Sequence, residues 1–190
     1  MRQDSDVFDV LMVCTANICR SPGAERLLAL ELSQRDLSDA LRIRIRSAGV
    51  RGWDASPMDP DAAAALEGLG GLSEDFSSRP LNDRIVSDGS LILTATKEHR
   101  SELVERFPRG LRRTFTMKEF AHLVSLDSKE YESARELVAA AYRHRGGAEI
   151  TDFDVVDPYG GTTEQHQVAM AEIHECMKVL ADALSRCTYP

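Results

Sequence analysis

Residues 7–13, VFDVLMV, form a short valine-rich apolar run that stops abruptly at Cys14. A run this short and this apolar reads as a strand buried on both faces. Strands of that kind belong chiefly to parallel sheets, whose helical crossovers cover both sides. The residues after the run narrow the choice further. CTANICRS leads to Pro22, and then to a helical pattern carried by Leu27, Leu28, Leu30 and Leu32. Pro22 is read as the first helical position, where a missing N–H costs nothing because that donor has no intrahelical partner. The chain thus begins with a buried strand, a tight loop and a helix.

The remaining pattern repeats this alternation. Residues 41–46 set Ile43 and Ile45 between Arg42, Arg44 and Arg46, the period of a half-buried strand. The arginines of this strand, with Arg109, Arg112 and Arg113, read as solvated faces or as contacts for an acidic partner. Residues 60–69 read as a helix with Asp59 as its N-cap and glycines at its end. Residues 91–95 (LILTA) form a second buried strand, followed by a charged helix over 97–106. A short strand at 114–116 precedes helices over 118–123 and 130–143; residues 152–163 are loop, and 164–184 carry the longest helical pattern. Four strands alternating with helices predict an α/β fold, a small four-stranded parallel sheet with helices on both faces. Ligands of such sheets bind beyond the carboxyl ends of the strands, where Cys14 stands.

Composition removes several function classes. The 190 residues suit one domain spanning 1–190, with no linker and no internal repeat. A net charge of −8 argues against nucleic-acid binding, because a phosphate backbone requires a basic partner. No apolar run approaches the roughly 18 residues of a membrane span. The acidic start, MRQDSDVFDV, has no signal-peptide core, and four cysteines make no disulfide framework, so a cytoplasmic location is expected. His99, His122, His144, His166 and His174 show no metal-ligand spacing. Neither a metal nor a cofactor is expected.

Cys14 and Arg20 fit C-x5-R, a spacing that is weak by itself. Its setting strengthens it. A loop between a strand end and a helix N-terminus presents successive backbone N–H groups to an anion. Here those are the amides of Thr15, Ala16, Asn17, Ile18 and Cys19. A thiol in that position is favoured as the nucleophilic thiolate. Arg20 can grip two phosphate oxygens at once, and Asn17 tolerates the left-handed conformation that a tight loop needs. The plainer alternative is a buried cysteine ending a strand, with Arg20 an ordinary surface residue.

VCTANICRSP resembles the phosphate-binding loop of the low-molecular-weight protein tyrosine phosphatases, C-x-G-N-x-C-R-S-P. Further matches come in family order. They are Ser47-Ala48-Gly49 with Trp53, Pro57 and Asp59, then LILTATKEHR, then Asp157-Pro158-Tyr159-Gly160 before a C-terminal helix. The resemblance spans most of the chain and implies a flavodoxin-like fold. It departs from the pattern at Ala16 (usually glycine), Ala95 (usually methionine) and Gly160 (often a second tyrosine), and residues 125–150 are longer than usual.

The resemblance implies hydrolysis of phosphotyrosine or another aryl phosphate through a phosphocysteine on Cys14. Arg20 and the loop amides would hold the phosphoryl group, and the Ser21 hydroxyl would hydrogen-bond the thiolate. The general acid would be Asp157 rather than Asp59, and Trp53 and Tyr159 would wall an aromatic slot. The implied partners are a phosphotyrosine protein or small aryl phosphate, and inorganic phosphate or like oxyanions in the loop. Three other functions compete. Arsenate reduction needs resolving cysteines near the loop, and no cysteine lies between Cys19 and Cys176. Phosphoarginine phosphatases of this family carry threonine four positions after the nucleophile, where this chain has Ile18. An oxyanion-binding module or phosphocysteine carrier would need no general acid. Cys14 and Cys19 could also form a reversible disulfide, or Cys19 could simply pack beneath the loop.

Overall fold

The computed structural model describes residues 7–52, 54–127, 129–147 and 151–190. Its centre is a parallel sheet of four strands, β1 (Phe8–Cys14), β2 (Ile43–Gly49), β3 (Leu91–Thr94) and β4 (Thr114–Thr116), in the order β2-β1-β3-β4. The helices are α1 (Arg20–Ser33), α2 (Pro60–Gly68), α3 (Asp83–Asp88), α4 (Lys97–Arg106), α5 (Met117–Ser125), α6 (Ala134–His144) and α7 (Thr163–Ser185). The expected fold class is the one observed.

β1 shows why its run is apolar on both sides. Phe8, Val10 and Met12 point into one core with α1, α2, α5, α6 and α7. Leu11 and Val13 alternate into a smaller core with Val86 of α3 and Leu103 of α4. Asp9 shares that second face and is buried, yet it is compensated. Arg44 and Arg46 of β2 pair with its carboxylate, and its own amide donates to Ser90 Oγ at 3.2 Å. The register places Asp9 opposite Arg44, so two of the arginines read as a solvated or partner-binding face are engaged within the fold.

Helix α1 begins two residues before Pro22. Cys19 is its N-cap, so Pro22 is the third helical residue. Its missing N–H is still harmless, because the first-turn donors have no carbonyl to bind. The first full helical bond comes from Gly23 N to Cys19 O at 3.1 Å. Asp59 caps α2 as expected, accepting from the amides of Asp61 and Ala62 at 3.1 Å each. α3 carries no periodic pattern, and Val86 is its one buried residue.

The long 125–150 stretch contributes α6, which adds Ala134, Leu137, Val138 and Ala141 to the main core. Just beyond it, Arg145 stacks on the Phe115 ring at 4.1 Å and donates to Thr114 O at 2.5 Å. Phe115 and Thr114 belong to β4, so Arg145 ties this turn to the last strand of the sheet. Glu119 of α5 closes the capping box with Thr116 and lies fully buried between Arg100 Nη1 at 2.7 Å and Arg145 Nε at 2.9 Å. No helix among the described residues is long and apolar enough to cross a membrane.

Removing one member of a buried charge cluster strands the others. Glu119→Ala is expected to lower unfolding free energy by about 3 kcal/mol. Denaturant melts of the variant beside the parent protein measure it.

Candidate active site

The loop leaves β1 at Cys14 and enters α1 at Arg20, and one residue sets its shape. Asn17 is wholly buried with φ 61°, the left-handed conformation expected of it. Its side-chain amide donates to Ser21 Oγ and to Ser47 Oγ, both at 2.9 Å, while its carbonyl oxygen accepts from Arg79 N at 2.9 Å. The loop is thereby tied to α1, to β2 and to the segment after α2. Gly49 lets β2 approach: a Cβ there would stand 2.5 Å from Thr15 O and 2.9 Å from the Ala16 carbonyl carbon. Ala16 itself is not among the positive-φ residues, so alanine replaces the usual glycine without backbone strain.

Cys14 is almost fully buried, and its Sγ lies 3.0 Å from Ser21 Oγ, the contact expected from the sequence. Arg20 is buried too. Its Nη2 meets Asp157 Oδ2 at 2.7 Å, and its Nη1 donates to Val155 O at 3.2 Å. A cleft of about 210 Å³ opens above these groups. It is lined by Cys14, Thr15, Ala16, Ile18, Cys19, Arg20, Arg51, Asp157 and Tyr159. Every predicted site residue that the structure describes is therefore at the cleft or, like Asn17 and Ser21, bonded to the loop. Trp53 lies outside the described residues. Tyr159 is exposed at the rim, and Gly160 beside it takes φ 72°.

The two Asp-Pro pairs separate cleanly. Asp59 is committed to capping α2, and its amide donates to Ile18 O at 2.9 Å. Asp157 is half-exposed at the cleft with one oxygen on Arg20. Cys176 and Cys187 are buried, with thiols pushed up by burial to about 12 and about 11. Neither lines the cleft.

Two participants leave almost no mark in the sequence. Arg51 lines the cleft and pairs with Glu102 at 2.9 Å. His99 sits behind the loop, buried, with Nε2 2.9 Å from Thr15 Oγ1 and Nδ1 2.8 Å from Thr96 Oγ1. Thr96 caps α4 by accepting from the His99 amide at 3.2 Å. These bonds are all satisfied when the Thr96 hydroxyl donates to Nδ1 and His99 Nε2–H donates to Thr15. Burial, then the nearby Arg20 charge, bring the His99 pKa down to about 4. The imidazole is therefore neutral and orients Thr15 without adding charge. The sequence signal for it was only the His-Arg of LILTATKEHR.

The chain belongs to the low molecular weight phosphotyrosine protein phosphatase family, whose model matches residues 9–130. It is 28% identical over 181 residues to the protein-arginine-phosphatase of Bacillus subtilis, covering 94% of this chain and 98% of that one. It is likewise 28% identical over 179 residues to low molecular weight protein-tyrosine phosphatase A of Mycobacterium tuberculosis, covering 94% and 92%. Among solved structures, the YwlE arginine phosphatase from Geobacillus stearothermophilus superposes with a TM-score of 0.70 at 29% identity, covering 93% of this chain and 92% of that one.

The His99 shift fixes a pH dependence. The unfolded chain takes up this proton near pH 6.5 and the folded chain only near 4, so the unfolded state binds more protons between those values. This group's contribution to stability is complete above pH 6.5 and is lost as pH falls toward 4, by roughly 3 kcal/mol in all. His99→Gln is expected to flatten that part of the stability–pH curve, as measured by denaturant melts at stepped pH.

Proposed function

We propose that this chain is a phosphotyrosine phosphatase, cleaving aryl phosphate monoesters through a phosphocysteine on Cys14. The choice of substrate class rests on Ile18. Its relatives divide between proteins named for tyrosine and for arginine, at the same 28% identity, so overall likeness does not decide. Ile18, four positions beyond Cys14, borders the cleft while packed largely into the main core, so this part of the wall is apolar. A phosphoarginine side chain brings guanidinium N–H donors that need acceptors when desolvated, and isoleucine offers none. A tyrosine ring finds apolar contact there and against the rim residue Tyr159.

The chemistry is set by the groups at the cleft. The Cys14 thiolate attacks phosphorus, forming the S–P bond as the P–O bond to the phenol breaks. The Ser21 hydroxyl, 3.0 Å from Sγ, stabilises the thiolate as nucleophile and again as leaving group. Arg20 and the loop amides share the charge on the non-bridging oxygens of the transferring phosphoryl group. Asp157 gives its proton to the phenolate oxygen. The resulting carboxylate then takes a proton from the water that cleaves the phosphocysteine, releasing phosphate and restoring the acid. In this structure Asp157 rests on Arg20. An entering phosphate monoester would claim the guanidinium, and the freed Asp157 carboxylate would take up a proton, from solvent or from the phosphate monoanion, before serving as the acid.

The acid assignment predicts a leaving-group effect. Asp157→Asn is expected to slow hydrolysis of phenyl phosphates with high-pKa leaving groups by about 10²–10⁴-fold, and of activated nitrophenyl esters much less. A rate loss independent of leaving group would remove Asp157 from that role.

The substrate assignment is tested by kcat/KM on matched phosphotyrosine and phosphoarginine peptides. The parent protein is expected to prefer phosphotyrosine, and Ile18→Thr to shrink that preference by about 10-fold or more. A parent enzyme favouring phosphoarginine would overturn the reading.

A further inference from the structure

Three side chains far apart in sequence converge behind the loop. Cys19 is the N-cap of α1, Asp59 the N-cap of α2, and His166 lies in the first turn of α7. One ligand-capable atom from each lies within 4.8 Å of the other two. Cys19 and His166 are buried, at 4% and 2% exposure. His166 Nδ1 is shielded from solvent and makes no hydrogen bond among the described residues. The nearest acidic oxygen, Asp59 Oδ1, is 3.7 Å from it. An imidazole nitrogen left unsatisfied in the interior is costly, and a native fold rarely keeps one without use.

We propose that Cys19, Asp59 and His166 form a binding site for a soft divalent cation of the zinc type at the base of the loop, where Cys19 borders the same cleft as Cys14. The donor set carries the choice of ion. Thiolate and imidazole with one carboxylate suit zinc, whereas magnesium and calcium take oxygen ligands. Around one tetrahedral zinc, with bonds of about 2.0–2.3 Å, such atoms stand roughly 3.3–3.6 Å apart, so the three groups draw in by about 1 Å. Asp59 Oδ1 both caps α2 and is the oxygen 3.7 Å from His166 Nδ1, so the metal would share that oxygen with the cap. His166 supplies the Nδ1 lone pair. Cys19 supplies its sulfur, and the thiol proton leaves to solvent as the S–metal bond forms, with no change of oxidation state.

Burial first, and then the Asp59 charge, hold the Cys19 thiol protonated. Binding must therefore expel that proton, and the attraction of the cation for thiolate and carboxylate together offsets the cost. The bound ion, its fourth position taken by a water molecule, would clasp α1, α2 and α7 at the base of the loop.

The test uses the full chain carrying Cys14→Ser, so that the loop's other thiol cannot ligate. Cobalt(II) is titrated as a spectroscopic stand-in, and zinc is then added to displace it. The expected result is one equivalent of cobalt with a thiolate charge-transfer band and the intense visible bands of a four-coordinate site, bleached by zinc. Adding His166→Gln or Cys19→Ser should weaken binding at least tenfold, while adding Cys176→Ser should leave it unchanged. Asp59→Asn keeps the helix cap and should also weaken binding, so a folding failure in one variant does not decide the matter. Zinc should raise the melting temperature of the Cys14→Ser protein but not that of its His166→Gln derivative. Equal affinity in the His166→Gln protein, or no stoichiometric binding at all, would overturn the proposal. Because the measurement needs no turnover, it stands or falls independently of the phosphatase reading.

Discussion

The loop holds its shape through one buried side chain, and the site depends on it. Asn17 spends both ends of its amide on fixed partners, with Ser21 and Ser47 on one end and the Arg79 backbone on the other. The left-handed backbone that would be costly for most residues is held by those bonds. Ser21 is in turn the hydroxyl that meets Cys14, so the posture of the loop and the setting of the sulfur are a single hydrogen-bonded unit. The neutral His99 supports the same loop from behind through Thr15. A rigid cradle matters because an anion binds best to donors already in place, with no reorganisation on arrival.

The sheet supplies the foundation. β1 is buried on both faces, and its end delivers Cys14 next to Gly49 at the end of β2. Only a residue without a Cβ permits that neighbour to lie so close to the loop carbonyls. The same register sets Asp9 among Arg44 and Arg46, and Asp88 of α3 supplies the second acid, so the strand charges are compensated while the strand ends carry the site.

What the sequence revealed was mostly what is local. A strand, a loop and a helix adjacent in the chain are legible because their periods and caps are written within a few residues, and Asp59 announced its cap in the same way. α3 is illegible because six residues with one buried side chain leave no periodicity to read. The pairing of Asp9 with Arg44 requires strand register, which alternation alone does not provide. His99 reaches Thr15 across 84 positions, and His166 meets Asp59 and Cys19 from the far end of the chain. Spacing arguments that search for metal ligands or positioning residues within short windows cannot find such meetings. The place of α6 was equally hidden, since packing Ala134, Leu137, Val138 and Ala141 into the main core is a property of the finished fold.

The ion pair between Arg20 and Asp157 has a consequence for affinity. The site carries its own resident anion, so any oxyanion that enters competes with a tethered carboxylate for the same guanidinium. Measured binding is therefore a difference between two anions, and it favours the one that engages more donors at once. A phosphate dianion can meet both the fork of Arg20 and the loop amides, whereas a simple carboxylate reproduces little beyond what Asp157 already provides. Under the proposed function, discrimination against simple carboxylates would thus follow from the Arg20–Asp157 pair itself.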